Sequence, residues 1–232
     1  DRRQRQMCIR DRGYAIVGGQ IPLATGAAFA IAYRGSHEVV ACQMGEGTTN
    51  GGPFYESLNL ANIYHLPIIY FVVNNLYGMG LRVEKGSAVA EIYRKACAFD
   101  MRSERVDGND VLAVRDVVRN AAKYAREEHE PILIEAVSFR FRGHSVVDPD
   151  RYRSEEEVRT GRSNDPIAAF AQRLMAAGIL DENKQHEIEE RVEREVNDAI
   201  KFADESPDPA VDELFDYMYA PASVSGEESN HG

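Results

Sequence analysis

The chain has few cysteines and prolines, too little glycine for a fibrous protein and fewer basic than acidic residues, and each of these features argues against a class of protein. Three cysteines in 232 residues share no metal-binding or redox spacing, which argues against a disulfide framework and fits a reducing compartment. Eighteen glycines and nine prolines are too few for a fibrous protein. With 27 Lys and Arg against 38 Asp and Glu, the net charge of −11 argues against nucleic-acid binding.

The acidic charge is concentrated near the carboxyl end. From Asp181 onward the chain has 16 acidic and 4 basic residues, a net charge of −12, whereas the residues before it sum to +1. In the same segment Ile188, Val192, Val196 and Ile200 recur every four positions. This spacing predicts a helix with a narrow apolar stripe and a solvated acidic face.

Residues 14–33 form an uncharged run of 20 residues between Arg12 and Arg34. The run is long enough for a membrane span, but its glycines and polar side chains give little transfer free energy. We therefore expect no membrane association. Residues 22–33 instead predict a helix that is apolar on all sides and therefore buried.

The hydrophobic pattern after this helix alternates between strands and helices. Short apolar runs predict strands, and apolar residues three to four positions apart predict helices. The predicted strands are 38–44, 67–73 and 131–137, and the predicted helices are 54–64, 111–122, 165–178 and the acidic one near the end. Strands that alternate with helices favour an α/β fold with a doubly wound parallel sheet.

The most informative unit is Gly45-Glu46-Gly47, followed after 26 residues by Asn74-Asn75. Both pieces follow predicted strands, and the carboxyl ends of neighbouring parallel strands meet at the sheet edge where ligands bind. Glycines let backbone amides approach a phosphate, and the next helix adds its positive end. A carboxylate and an amide oxygen at this edge suit Mg²⁺, which commonly keeps substrate phosphates as its other ligands. The residues therefore predict a diphosphate held through Mg²⁺.

Two other interpretations of this unit stay open on the pattern alone. A dinucleotide site would need a third glycine where Asn50 stands. It would also need an acidic residue after the second strand, where the sequence has Asn74 and Asn75. A tight turn that binds no ligand would use the same glycines.

Further motifs accompany the glycine–asparagine unit in a fixed order. They are 17–23, 45–50, 56–61, 66–67, 74–80, 140–145, 148–149 and 152–153. With them the chain resembles the alpha subunit of the decarboxylating component of 2-oxo acid dehydrogenase complexes, closest to the pyruvate type. The central unit resembles that family's thiamine-diphosphate motif, which begins Gly-Asp-Gly and ends in two asparagines. The likeness runs from about residue 13 to residue 219.

The resemblance implies how the metal and the diphosphate would be bound. The side chains of Glu46 and Asn75 and the backbone carbonyl of Tyr77 would be the Mg²⁺ ligands. The backbone amides of Gly47 and Thr48 would bind the diphosphate of thiamine diphosphate.

The resemblance also implies the remaining site residues. The backbone of Ala15 and Val17 would lie against the aminopyrimidine ring of the cofactor, although the family usually has glycine where Ala15 stands. His144 would be the catalytic residue, on a loop that closes the active site. It would hydrogen-bond the reacting adduct and assist transfer to lipoyl, a role that suits a side chain that titrates near neutral pH.

Glu46 stands where the family has aspartate. The extra methylene shifts the carboxylate by roughly an ångström. An alternative is therefore a non-catalytic subunit that has lost metal binding through Glu46. A second alternative is the alpha subunit of acetoin dehydrogenase, because the closing loop fits both substrate types.

The implied activity is thiamine-diphosphate-dependent oxidative decarboxylation of a 2-oxo acid, with transfer of the acyl unit to a lipoyl group. The implied partners are a beta subunit, in an assembly of two alpha and two beta chains, and a lipoyl acyltransferase component. The substrate would be a small 2-oxo acid. We expect a cytoplasmic location, with the mitochondrial matrix as the alternative.

Four segments are expected along the chain. Residues 1–12 are expected to be non-native, because 7–12 resembles the translated sequence of a transposase sequencing adapter. Residues 13–160 would form a partial thiamine-diphosphate-binding α/β domain, 161–220 a helical part and 221–232 a flexible tail. Because the family's alpha subunit is longer at its amino end, we expect a truncation there.

Overall fold

The computed structural model describes residues 16–208 and 210–212. Ala15, the expected non-native segment 1–12 and the expected tail 221–232 lie outside the described residues. The chain divides into two compact units, one up to Leu174 and one from Met175. The expected boundaries at 13–160 and 161–220 stay a prediction.

The elements follow one another as the alternation predicts, with additions between the second and third expected strands. In chain order they are α1 (Gln20–Arg34), β1 (Val40–Gly45), a 3-10 helix (Glu46–Asn50), α2 (Gly52–Ile63), β2 (Ile68–Asn74), β3 (Tyr77–Gly78), β4 (Leu81–Arg82), α3 (Val83–Gly86), a second 3-10 helix (Ile92–Phe99), β5 (Arg102–Asp107), α4 (Val111–Glu128), β6 (Ile132–Val137), α5 (Glu155–Arg162), α6 (Pro166–Ala176) and α7 (Glu182–Glu205).

Four strands form one sheet in the order β1-β2-β6-β5, and all neighbouring strands are parallel. Helices cover both of its faces, because the strands are apolar on both. In β2, Tyr70 packs in one core cluster with Phe54 and Leu58 of α2, while Ile69 packs in the other with Ala121 of α4. The predicted α/β fold with a doubly wound parallel sheet is confirmed.

The register places the candidate motif residues at one edge of this sheet. Gly45 at the end of β1 lies opposite Val73, and Asn74 at the end of β2 lies opposite Val137. The segments that follow β1, β2 and β6 therefore all leave from the carboxyl edge. In parallel sheets this edge is where ligands bind.

Helix α1 is not buried on all sides, and that prediction is wrong for this chain. Ile21 and Ala28 lie in the core, but Leu23, Phe29 and Tyr33 are 55%, 44% and 85% exposed. An apolar sequence indicates that a helix avoids water, but one sheet can cover only one side of it. The outer face of α1 has no covering element among the described residues.

Helix α7 carries the predicted apolar stripe. Ile188, Val192, Val196 and Ile200 are each about half exposed, and Asp181 begins the helix by accepting a hydrogen bond from the Lys184 amide. Across the described part of the chain, no helix has both the length and the hydropathy needed to cross a bilayer.

Candidate functional site

Glu46 begins the 3-10 helix directly after β1. The hydroxyl of Thr49 donates to the Glu46 carbonyl over 2.7 Å and so closes this turn. The Glu46 side chain points inward, since the residue is only 3% exposed. Its Oε2 accepts a hydrogen bond from the backbone amide of Asn75 over 3.4 Å. The two halves of the predicted motif, separated by 26 residues in the chain, are therefore in contact.

The Asn74–Tyr77 turn is shaped by the two asparagine side chains. Asn74 Oδ1 accepts from the Leu76 amide over 3.0 Å, and Asn75 Oδ1 accepts from the Tyr77 amide over 3.3 Å. Leu76 between them has a φ of 73°, a left-handed conformation that non-glycine residues rarely adopt. Short asparagine side chains stabilise such turns by hydrogen bonding to the backbone two residues on.

Glycine at positions 47 and 78 permits close approach of the two segments. A Cβ atom on Gly78 would lie 3.5 Å from the Gly47 Cα and 3.7 Å from Glu46 Oε1. The backbone of the turn therefore lies against the first motif and its carboxylate. Thr48, the next residue, lies near Gly18 ahead of α1, where an added Cβ would be 3.6 Å from the threonine Cγ2. Val17 beside Gly18 is 80% exposed.

The loop after β6 reaches back to the same turn through Arg140. Its Nη1 donates to the Tyr77 carbonyl over 3.3 Å, and its Nη2 donates to the Met79 carbonyl over 2.7 Å. The same Nη2 lies 2.7 Å from the hydroxyl of Tyr152. The carbonyl predicted as a metal ligand is thus already engaged by an arginine, and it keeps a second lone pair.

His144 lies on this loop with an exposed side chain. Its backbone amide donates to Asp148 Oδ2 over 2.7 Å. The same carboxylate accepts from the Tyr152 hydroxyl over 2.6 Å and from the Asp150 amide over 2.9 Å. These donors, the tyrosine first, lower the pKa of Asp148 to about 2. His144 therefore lies on a loop that the Asp148 carboxylate, charged at neutral pH, holds together by three hydrogen bonds.

Arg153 fixes the base of the loop. Its side chain is fully buried, and its guanidinium donates to the carbonyls of Arg140 and Arg142 and to the Asp150 carboxylate. The guanidinium also lies over the ring of Phe139, 5.2 Å from the centroid. A planar fork with five donors can satisfy these acceptors together, which a lysine could not.

The side chain of Tyr77 is tied to α5. Its hydroxyl donates to Glu157 over 2.8 Å, and Arg82 Nη1 lies 3.2 Å from both the hydroxyl and the carboxylate. Burial, followed by the hydrogen bond and charge of Glu157, raises the pKa of Tyr77. The β3–β4 hairpin is therefore held from two sides, by Arg140 at its backbone and by Glu157 at its side chain.

The structure thus brings Glu46, Asn75 and the Tyr77 backbone together, with Gly47 against them. Ala15 lies outside the described residues. Among residues 16–208 and 210–212, no three His, Cys, Asp or Glu side chains are grouped as a metal site. The expected ligand set contains one such side chain, with an amide and a carbonyl oxygen beside it.

Several residues of this region were not given roles from the sequence. Arg140, Asp148, Tyr152 and Arg153 appear in the family-like segments, but their contacts depend on how the loop closes. Glu135 could have been found, because it is the charged residue in the apolar strand β6. A buried carboxylate requires partners.

The parallel sheet and the joined motifs at its carboxyl edge define an α/β protein with a candidate ligand site between strand ends. The sequence comparison then gives the family. The profile described as "Dehydrogenase E1 component" matches residues 4–212. The chain belongs to the dehydrogenase E1 component family.

Curated relatives carry the name pyruvate dehydrogenase E1 component subunit alpha. The protein of Porphyra purpurea is 40% identical over 215 residues, which are 90% of this chain and 62% of the relative. That of Rickettsia bellii is 36% identical over 207 residues, 89% of this chain and 64% of the relative. The chloroplastic subunit alpha-3 of Arabidopsis thaliana is 40% identical over 214 residues, 90% and 50% respectively. The chain therefore spans about half to two thirds of the length of these relatives.

Proposed function

We propose that this chain is part of the alpha subunit of pyruvate dehydrogenase, acting with thiamine diphosphate and Mg²⁺ in the oxidative decarboxylation of a 2-oxo acid. The observation that carries the proposal is the contact between the Glu46 carboxylate and the Asn75 amide at the carboxyl edge of the sheet. The names of the relatives support pyruvate over acetoin as the substrate.

The residues at this edge fit a hard divalent cation. The donor atoms available are a carboxylate on Glu46, an amide oxygen on Asn75 and the carbonyl of Tyr77, and Mg²⁺ prefers oxygen ligands of this kind. Glu46 is 3% exposed, and the hydrogen bond described for its carboxylate is long, at 3.4 Å. A buried carboxylate in this state is stabilised by an opposite charge beside it. The extra methylene of Glu46 is compatible with this fit, because the carboxylate lies at the turn after β2, where its Oε2 accepts from the Asn75 amide.

The position of Gly47 and Thr48 fits a diphosphate site. Their backbone amides would bind it, because both residues lie in the 3-10 helix that directly follows β1 at the carboxyl edge of the sheet. The backbone of Val17 would contact the aminopyrimidine ring, as would that of Ala15. When bound, thiamine diphosphate supplies an electron sink for the loss of carbon dioxide.

His144 would act from the loop that Arg140 joins to the site. Its side chain is exposed, and an imidazole can donate or accept a hydrogen bond. Asp148 accepts a hydrogen bond from the His144 amide and Arg153 donates one to the Arg142 carbonyl, so the backbone that carries the imidazole is ordered. We propose that it assists transfer of the acyl unit to the lipoyl group of an acyltransferase component.

The outer face of α1 and α2 supports an assembly with other subunits. Leu23, Phe29, Leu60, Ile63 and Tyr64 are all exposed there, and Phe29 and Tyr64 stack edge to face at 5.2 Å. Clustered apolar side chains of this kind usually mark a protein–protein interface. We propose that a beta subunit and a second alpha subunit complete the enzyme, in a cytoplasmic complex of two alpha and two beta chains.

The proposal is tested by reconstitution. The full-length alpha subunit is co-purified with its beta subunit, and substrate-dependent reduction of an artificial electron acceptor is measured with pyruvate, a 2-oxo acid, and with acetoin, a hydroxyketone. Activity with pyruvate that requires both subunits, thiamine diphosphate and Mg²⁺ is expected. A preference for acetoin would make acetoin, and not pyruvate, the substrate. If the assembly is inactive with both compounds and Glu46→Asp restores activity, the non-catalytic alternative is favoured.

A further inference from the structure

Glu135 is a fully buried carboxylate in the middle of the sheet. It lies in β6 with an exposure of 0%. Its Oε1 accepts from Asn74 Nδ2 over 2.6 Å, and its Oε2 accepts from the Tyr93 amide over 3.0 Å. Arg105 Nε lies 3.9 Å from the same Oε2. A buried charge is costly, and here each oxygen has a donor.

The hydrogen bond to Asn74 orients a planar amide group. Once Nδ2 is held by Glu135, Oδ1 is directed to the opposite side, where it accepts from the Leu76 amide over 3.0 Å. That bond supports Leu76 in its left-handed conformation. The conformation of Leu76 in turn determines where Asn75 and Tyr77 present their oxygen atoms.

The other carboxylate oxygen connects to the first half of the motif. Tyr93 lies in the second 3-10 helix, which also carries the buried Lys95. Lys95 Nζ donates to the Thr49 carbonyl over 3.1 Å and to Asn50 Oδ1 over 3.0 Å. The 3-10 helix that carries Tyr93 and Lys95 therefore links Glu135 to the segment after Glu46, while Asn74 links Glu135 to the turn after β2.

We propose that Glu135 is a positioning residue for the cation site, acting through Asn74 on the ligand atoms of Asn75 and Tyr77. The inference rests on the proposed function, because those atoms matter only if a cation binds there. Glu135 does not touch the ligand atoms itself in the contacts described. It sets the turn that places them.

A double variant that exchanges the carboxylate of Glu135 with the amide of Asn74 separates the positioning role of Glu135 from an effect on general stability. In Glu135→Gln one acceptor becomes a donor, so either Asn74 or Tyr93 loses its partner. In Asn74→Asp two carboxylates face each other. In the double variant, the introduced glutamine can donate to the introduced aspartate and accept from the Tyr93 amide, while the aspartate still accepts from the Leu76 amide. Each of these three hydrogen bonds of the wild type has a counterpart in the double variant, with the charge moved from β6 to the end of β2.

The experiment measures Mn²⁺ binding by electron paramagnetic resonance, with thiamine diphosphate present, on the full-length alpha subunit assembled with its beta subunit. Each single variant is expected to bind Mn²⁺ about 10- to 100-fold more weakly, the usual loss when a partner of a metal ligand is changed. The double variant is expected to recover most of the affinity. Leu133→Ala is the matched control, since Leu133 is equally buried on the same strand and face. It should lower the unfolding temperature without weakening Mn²⁺ binding.

The outcomes distinguish this inference from the proposed function. Cofactor-dependent Mn²⁺ binding that is equal in the wild type and both single variants would overturn the inference alone. Weakening in the singles with no recovery in the double variant, or equal weakening in Leu133→Ala, would overturn it also. If a single variant fails to assemble, the double variant decides: wild-type affinity supports the inference, and loss of affinity contradicts it. A wild-type assembly that binds no Mn²⁺ would overturn the proposed function and this inference together.

Discussion

Arg140 donates a hydrogen bond of 3.3 Å to the backbone carbonyl of Tyr77, and so joins the loop that carries His144 to the turn that follows β2. The same guanidinium contacts the Met79 carbonyl and the Tyr152 hydroxyl. The loop and the proposed cation site are therefore one hydrogen-bonded unit. A substitution that loosens the loop is therefore expected to loosen the turn after β2 as well, and the reverse.

Replacement of Arg140 by lysine tests this link. One ammonium group cannot reach all the acceptors that the guanidinium holds, so the loop should open more easily by about 1 kcal/mol or more. Hydrogen exchange of peptides from residues 140–153 should become about fivefold faster. Arg151→Lys, at an exposed position on the same loop, is the control. Exchange rates equal to those of the wild type would contradict the link.

Asp148 gives the loop a defined pH dependence. Its pKa is lowered to about 2, so its hydrogen bonds are complete above the unfolded value of about 3.9 and are lost as the pH falls through about 2. Protection of the loop, corrected for intrinsic exchange rates, should therefore stay constant between pH 8 and pH 5. Asp148→Asn should lose protection throughout that range. A fall in wild-type protection between pH 7 and pH 5 would show that another group controls the loop.

Two glycine-to-alanine changes in helices should have opposite effects. A Cβ atom at Gly161 in α5 would lie 2.2 Å from the ring of Phe139, whereas nothing lies within 4 Å of one at Gly26 in α1. We expect Gly161→Ala to lower the free energy of unfolding by about 1–3 kcal/mol through overpacking. Gly26→Ala should raise it by about 0.5–1 kcal/mol through backbone entropy. Urea denaturation measures both, and a stabilising Gly161→Ala would contradict the packing described for α5.

The two described cysteines should differ in reactivity. Burial raises the pKa of Cys42 to about 11, while Cys97 is exposed. Burial of the neutral thiol therefore contributes fully to stability below the unfolded pKa of about 8.5, and this contribution is lost as the pH rises through about 11. With the other cysteines replaced by serine, Cys42 should react with a thiol reagent about 100-fold or more slowly than Cys97 at pH 8. Comparable rates would mean that β1 is open to solvent.

The sequence was sufficient for three of the four strands of the central sheet and for the contact between the two motif halves. The strands β2 and β6 are short, mostly apolar runs, typical of strands in a sheet covered on both faces. Parallel strands bring the residues that follow them to one edge. Strand β5 was not predicted, because Arg-Ser-Glu-Arg-Val-Asp is polar and becomes a strand only by pairing with β6 at the edge of the sheet.

The remaining features depend on tertiary contacts for which no spacing rule exists. The pattern of α1 specified its apolar residues but not whether another chain covers Leu23 and Phe29. The contacts of Arg153 arise from loop closure over some dozen residues, and Arg140 and Asp150 acquire their roles only in that closed form. The likeness to a family supplied the proposed roles of Glu46, Asn75 and His144.

The most direct test of the central claim is calorimetric titration of thiamine diphosphate into the full-length alpha and beta assembly, with Mg²⁺ and with a chelator. We predict binding that requires Mg²⁺ and is lost in Glu46→Ala, with Glu84→Ala as a control for an exposed carboxylate. Binding that persists without Mg²⁺ and in Glu46→Ala, or that is absent from the wild type, would contradict a cation site formed by Glu46, Asn75 and Tyr77.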